Sequence, residues 1–323
     1  MKRGKHSANG VYKKKKLRWD RIIGLFFIIA VVFLGVNQIK SVKANQDENA
    51  KIVEKQSSEQ EAVAVSIGEV EEVLQEKEDE KIKVLIQGVE EENNLNESNF
   101  SFFYYNVNQK TYYFYNQDTY FTAASTIKMP IAMAYYDEVN AGNMKLDDTL
   151  TYKEGCYAVG GGITDYTYNV GEQVPLQFLI KEAIINSDNT ATNILLENWG
   201  YKECKYQIAK YSEVELPENF YSENITSAKY GYDVVSYLYE HQQEYAELIG
   251  YLKQSSGGQY LKKYIEQYEV AHKYGSYNGY VHDYGIVYSE NPYLIGIFTK
   301  NVASADELIA QISLQVLEKN MEK

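Results

Sequence analysis

Apolar residues are distributed in three regimes along the 323-residue chain. Ile22–Val36 is an uninterrupted run of fifteen uncharged residues (IIGLFFIIAVVFLGV) behind nine Lys/Arg. At 1.5 Å per residue it spans roughly 22 Å as a helix, and extending it through Asn37, Gln38 and Ile39 reaches about 27 Å, close to a hydrocarbon core. Residues 45–79 are Glu- and Gln-rich and contain no aromatic residue. From residue 80 onward, helical and strand periodicities take over. Ile82, Leu85, Ile86 and Val89 fall at i, i+3, i+4 and i+7, which predicts a helix over Glu78–Glu92. Two aromatic-rich strands are predicted next, Phe100–Tyr105 and Thr111–Tyr115, joined by an Asn-containing turn. A helical region follows from about Ser125 to Tyr245, interrupted by a glycine loop at Gly160–Gly162. Three more strands are predicted near Val270–Tyr274, Val281–Tyr288 and Leu294–Thr299. The last helix carries Leu308, Ile309, Ile312 and Val316 on one face, with Ser304 and Glu307 spaced as a capping box. Strands from both ends of the chain thus enclose a helical insert. The expected fold is α/β of the α+β kind: one antiparallel sheet with the terminal helices on one face and a helical subdomain on the other.

The organisation predicted is a basic tail with a membrane anchor or signal (1–40), an acidic tether (41–79) and a folded domain (80–323). The basic flank places the N-terminus in the cytoplasm and the domain outside, a single-pass cell-membrane protein with an extracellular body. Val42-Lys43-Ala44 also resembles a small-x-small cleavage site, so secretion after cleavage near Ala44 is the alternative. Composition narrows the partners. The net charge is −13, made of +1 over residues 1–80 and −14 over residues 81–323, so nucleic acid is excluded as a natural partner. Two cysteines, Cys156 and Cys204, exclude a disulfide scaffold and a Cys₄ zinc site, and their pairing is open. No HExxH or clustered His/Cys set is present, so neither a metal nor a cofactor is expected. Of 32 tyrosines, 31 lie beyond residue 99, which marks where the folded domain starts.

Three short motifs carry chemistry. In Ser125-Thr126-Ile127-Lys128, at the start of a predicted helix, the two functional residues share a face, so the amine can reach the hydroxyl. Backbone N–H groups at a helix start can also hold an oxyanion. Ser-x-x-Lys occurs roughly once by chance in a chain this long, and an N-cap serine with a solvated lysine is the plain alternative. Ser187-Asp188-Asn189 is rarer. Ser187 could pass a proton between Lys128 and a leaving group and Asn189 could bind a substrate amide, or the tripeptide could simply cap a helix. Lys-x-Gly occurs twice. Lys229-Tyr230-Gly231 lies in a helical context. Lys273-Tyr274-Gly275 lies on a strand, where a lysine beside a glycine can bind a carboxylate close to the backbone. His272, adjacent to Lys273, should face away from it and be structural, and His282-Asp283 could form a buried pair.

The ordered set Ser125-x-x-Lys128, Ser187-Asp188-Asn189 and Lys273-Tyr274-Gly275 resembles the class A β-lactamases and penicillin-binding D,D-peptidases over about residues 80–323. The resemblance implies Ser125 as nucleophile, Lys128 as base, Ser187 and Asn189 lining the site, and Lys273 binding the substrate carboxylate. Gly275 would give clearance, and the N–H groups of Ser125 and Ser276 would form the oxyanion hole. It implies an exported serine hydrolase acting on β-lactams through a Ser125 ester. A D-Ala-D-Ala carboxypeptidase or esterase with slow deacylation, acting on peptidoglycan peptides, is the alternative. A non-catalytic wall-binding module has no need of all four reactive residues. Two departures stand out. Tyr274 replaces the usual Thr or Ser, and the loop that carries the deacylating glutamate is about a dozen residues short. Glu213, Glu215, Glu218 and Glu223 lie in that loop, and none is assigned a role.

Overall fold

Asp79 starts the first helix. Its carboxylate accepts hydrogen bonds from the N–H groups of Lys81 and Ile82, both at 3.1 Å, and Asn94 ends the helix in the left-handed conformation. In the computed structural model, which describes residues 77–158, 162–256 and 260–322, this helix is α1 (Glu80–Asn93), flanked by β1 (Lys77–Glu78). It buries Ile82, Ile86 and Val89, three of the four positions predicted, with Leu85 at the edge of the same cluster. Next come β2 (Phe100–Asn106), β3 (Thr111–Tyr115), β4 (Phe121–Thr122), a 3₁₀ turn at Ala124–Ile127 and α2 (Lys128–Asn140). The middle of the chain holds β5 (Thr149–Thr151), α3 (Thr164–Thr167), β6 (Gln173–Pro175), α4 (Leu176–Ile185), α5 (Asn189–Trp199) and α6 (Tyr201–Ala209). It continues with β7 (Ile225–Thr226), α7 (Ala228–Glu240) and α8 (Ala246–Lys253). The chain returns through β8 (Glu269–Tyr277), β9 (Tyr280–Tyr288) and β10 (Tyr293–Lys300) to α9 (Ala305–Met321).

The main sheet runs β1-β3-β2-β10-β9-β8. Strands from the two ends of the chain meet at its centre, where β2 pairs antiparallel with β10 in the register Phe102↔Ile297. Only β1 departs from the antiparallel pattern, pairing parallel with β3. Successive residues of a strand point to opposite faces, and the two faces feed two separate cores. Phe100, Phe102 and Tyr104 pack with Ile82, Ile86, Ile309, Ile312 and Val316 beneath the terminal helices. Phe103 packs with α2, α4, α5 and α7 on the other side. Burial on both faces explains why β2 reads as a continuous apolar run rather than an alternation.

Two small ladders inside the helical part are absent from the sequence prediction. β5 pairs with β6, and β4 pairs with β7 in the register Phe121↔Thr226. Strands of two or three residues carry too little pattern to read. At the last helix, Ser304 occupies the cap position, but its backbone is left-handed and its side chain makes no capping bond. Glu307 turns instead to Lys263, at 2.5 Å, and Tyr264, at 2.8 Å. The capping box is therefore not formed. Among the described residues no helix is long and apolar enough to cross a membrane. Residues 1–76 hold the basic tail, the apolar run and all but the last three residues of the tether, and they lie outside the described residues.

Candidate active site

Ser125 sits in the 3₁₀ turn ahead of α2, not in the α-helix itself. The turn is pinned from several directions. Ala123 N–H donates to Asn224 O at 2.8 Å, and Asn224 Nδ2 donates to Ala124 O at 3.1 Å. Tyr284 Oη donates to Thr126 O at 3.0 Å. His282 Nε2 bonds Thr122 O at 2.9 Å while its Nδ1 accepts from Thr299 N–H at 3.1 Å. That pattern defines a neutral ring, and burial holds the His282 pKa down at about 4. Ala124 and Ser187 both carry positive φ, 50° and 53°. A non-glycine residue held there costs on the order of 1–3 kcal/mol, so two such residues at one site indicate a geometry imposed by its surroundings.

α2 brings Lys128 into the interior, where it is 4% exposed. Its amine donates to Ser187 O at 2.6 Å, Asn189 Oδ1 at 2.7 Å and Ser187 Oγ at 3.3 Å. All three protons of an ammonium are thereby engaged by the second motif, and none of these bonds goes to Ser125. Desolvation lowers the Lys128 pKa to about 7, against the opposing pull of Asp188. The second motif divides its labour. Asp188 is the helix cap, accepting from Ala191 N–H at 3.0 Å, and its other oxygen accepts from Thr164 N–H at 2.8 Å. Ser187 and Asn189, on either side, face Lys128. The capping and the active-site readings of this tripeptide thus both hold, on different residues.

β8 is the edge strand of the sheet, and it delivers the third motif. Lys273 Nζ donates to Ser187 Oγ at 3.1 Å, so the Ser187 hydroxyl bridges two lysines. Burial first, then the nearby Lys128 charge, push the Lys273 pKa well down. The lysine is fully buried: its amine lies 4.1 Å from the centroid of the Tyr274 ring. That ring stacks on Tyr260 at 4.9 Å and reaches Ser256 through its hydroxyl at 3.3 Å. The residue that replaces the family's Thr or Ser therefore covers the amine expected to receive a carboxylate. Gly275 is required where it stands. A Cβ there would lie 2.8 Å from Ser125 N and 2.9 Å from Thr126 N. Strand and turn abut at this point, with Ser276 on the same cavity wall as Ser125.

That cavity has a volume of about 460 Å³. Ser125, Lys128, Asn189 and Ser276 line it, whereas Ser187 and Lys273 do not. Among the described residues its charged lining side chains are Lys128 and Lys205, with no Asp or Glu. Glu215 and Glu218 line a different cavity, with Asp118 and Lys229. Glu213 N–H is held by Asp233, and Glu223 bonds Asn219 at the surface. Lys229 is an α7 residue paired with Asp233. Asp283 pairs with His272, at 2.7 Å, and not with its neighbour His282. Cys156 and Cys204 are both free and buried. Lys205, Asn224 and Tyr284 escaped the sequence reading, and His282, read there as a partner of Asp283, instead holds Thr122 and Thr299. Only Lys205 left a signal, a lysine beside Cys204 and within the helical spacing of Tyr201 and Ile208.

The sequence matches the beta-lactamase enzyme family over residues 79–319. Among solved structures, PBP-A is similar at 23% identity and a TM-score of 0.66, covering 76% of this chain and 99% of that one. A PBP-A mutant with the same coverage of this chain, 76%, is an acyl-enzyme complex with penicillin G. The beta-lactamase of Sphaerobacter thermophilus is similar at 23% identity and a TM-score of 0.62, covering 74% of this chain and 96% of that one. The chromosome-encoded beta-lactamase of Vibrio parahaemolyticus aligns at 18% identity and a TM-score of 0.64, over 75% and 100% of the two chains. No curated protein matches the chain.

Proposed function

The chain belongs to the beta-lactamase enzyme family and is a serine hydrolase, and from that premise we propose that it forms a long-lived Ser125 ester with β-lactams and hydrolyses it slowly. Ser125 Oγ attacks the ring carbonyl, forming the C–O bond. Its proton passes to neutral Lys128, which exchanges one of its bonds to the second motif for the Ser125 hydroxyl. A pKa of about 7 keeps both lysine forms populated near neutrality. Collapse of the tetrahedral oxyanion, held by N–H groups of Ser125 and Ser276, breaks the C–N bond. The leaving nitrogen takes a proton from Ser187, which is replenished from Lys128. Lys273, bonded to Ser187 Oγ, keeps that hydroxyl oriented.

One observation carries the slow second half. Hydrolysing the ester requires a base for water, and among the described residues no carboxylate lines the cavity that holds Ser125, while Glu215 and Glu218 open into another. Losing a general base costs about 10²–10⁴-fold, or roughly 3–5 kcal/mol. The cover on Lys273 supports a second reading: an esterase-like preference for acyl donors without the β-lactam carboxylate. We further place the domain outside the cell, held by the apolar run behind its basic flank. Mixing the protein with a chromogenic β-lactam tests the main reading. The expected trace is a burst of about one equivalent followed by a slow steady phase, absent from Ser125→Ala. A linear trace without a burst, or a burst that survives in Ser125→Ala, contradicts it.

A further inference from the structure

The α6 residues Tyr201, Cys204, Lys205 and Ile208 follow i, i+3, i+4, i+7, and all four line the Ser125 cavity. An amphipathic helix fills such a face with apolar side chains. Lys205 breaks the rule at the centre of the stripe. It is 1% exposed, and its amine has no hydrogen-bond partner. The nearest compensation is the face of Phe220, 3.9 Å from ring centroid to Nζ. A cation–π contact offsets only part of the cost of burying an ammonium. A buried polar group without a partner calls for an explanation, and a ligand that brings the acceptor is one. The cavity supplies the context. Its other amine, Lys128, is engaged by the second motif, and among the described lining residues no carboxylate competes for Lys205.

The position of α6 indicates which part of a substrate would arrive there. Ser276 and Tyr277 of β8 line the cavity together with residues of α5 and α6. On the proposed reading the leaving nitrogen takes its proton from Ser187, which Lys273 of β8 holds, so the leaving half belongs near that motif and the acyl half belongs in the rest of the lining, where Lys205 stands. We infer that Lys205 is a specificity site that pairs with a carboxylate carried on the acyl half of the substrate. The inference rests on the reading that Ser125 is acylated. It extends that reading to the substrate: an acyl donor with an acidic group in the part that stays on the enzyme. The amine is lowered to about 8 by burial, so it remains largely protonated at pH 7, as pairing with an anion requires.

Two penicillins separate this from general binding. Penicillin G has a neutral phenylacetyl side chain, and carbenicillin differs from it by one carboxylate on that side chain. The full chain is incubated with each, and the second-order rate of Ser125 adduct formation is followed by intact-protein mass. A charge-assisted hydrogen bond contributes about 10- to 100-fold. The carbenicillin-to-penicillin G ratio should therefore fall at least about 10-fold from wild type to Lys205→Met, with penicillin G still labelling the variant. A ratio that stays within about twofold, or an equal loss for both compounds, overturns the assignment. Should Lys205→Met fail to fold, Lys205→Gln gives the same comparison with a polar side chain. If neither penicillin labels wild-type Ser125, it is the acylation reading that falls, and this one with it.

Discussion

Burial brings the Lys128 amine to a pKa of about 7, and the sign of the resulting pH dependence follows directly. Only the neutral amine can take the Ser125 proton, so acylation should rise as pH climbs through about 7 and level off above it. A stopped-flow profile of the acylation rate measures this, and a rate that falls over that range assigns the base elsewhere. Lys128→Ala should slow acylation about 100-fold or more. Tyr274 makes the opposite kind of prediction. Removing the ring that covers Lys273 should rehydrate its amine, which favours the charged form, and open it to the β-lactam carboxylate. Tyr274→Thr should raise labelling by penicillin G relative to its methyl ester by about 10-fold, the scale of one charge-assisted bond. An unchanged ratio shows that the ring is no barrier. Ser125, Lys128, Ser187, Asn189 and Lys273 were legible because each motif is local, and a few residues of spacing define it. The Tyr274–Tyr260 stack and the Lys205–Phe220 contact were not. Each joins residues whose proximity depends on how β8, or α6 and the following loop, fold back.

At the level of elements, the site is a junction of a 3₁₀ turn, a helix cap and a strand edge. Gly275 is where strand and turn touch. In Gly275→Ala the new methyl would meet backbone atoms of Ser125 and Thr126 inside 3 Å, and backbone cannot swing aside as a flexible side chain can. The variant should lose about 1–3 kcal/mol of stability and at least about 10-fold in acylation. Chemical denaturation with a parallel labelling assay checks both, and a fully active, fully stable variant would mean that β8 stands off from the turn. The strands were readable because apolar runs mark them, although β8 runs three residues past the predicted end at Tyr274, up to the Asn278-Gly279 turn with both residues at positive φ. The β4–β7 ladder, which steadies the Ser125 turn, was not, since two residues paired with two leave no periodicity. The Ser304 capping box failed for a related reason. Glu307 had a better partner in Lys263, forty-four residues earlier in the chain, which no local motif can register.

For the whole molecule, charge and composition alone divide the chain into a basic flank, an apolar run, an acidic stretch without aromatics and a tyrosine-rich domain. If the basic flank holds the N-terminus inside, protease added to intact cells should release the domain and leave a short membrane-bound stub. A domain protected until the cells are lysed would reverse that topology. The domain itself carries the central claim, that Ser125 is readily acylated within a cavity whose described lining holds no carboxylate to free it. The direct measurement is a time course of intact-protein mass after excess penicillin G is added and then removed, with the adduct mapped by peptide sequencing. The account predicts one penicilloyl group on Ser125 that decays over minutes or longer, and none on Ser125→Ala. An adduct that forms equally on Ser125→Ala, or turnover at about ten per second or faster, the pace of ordinary enzymes, would contradict it.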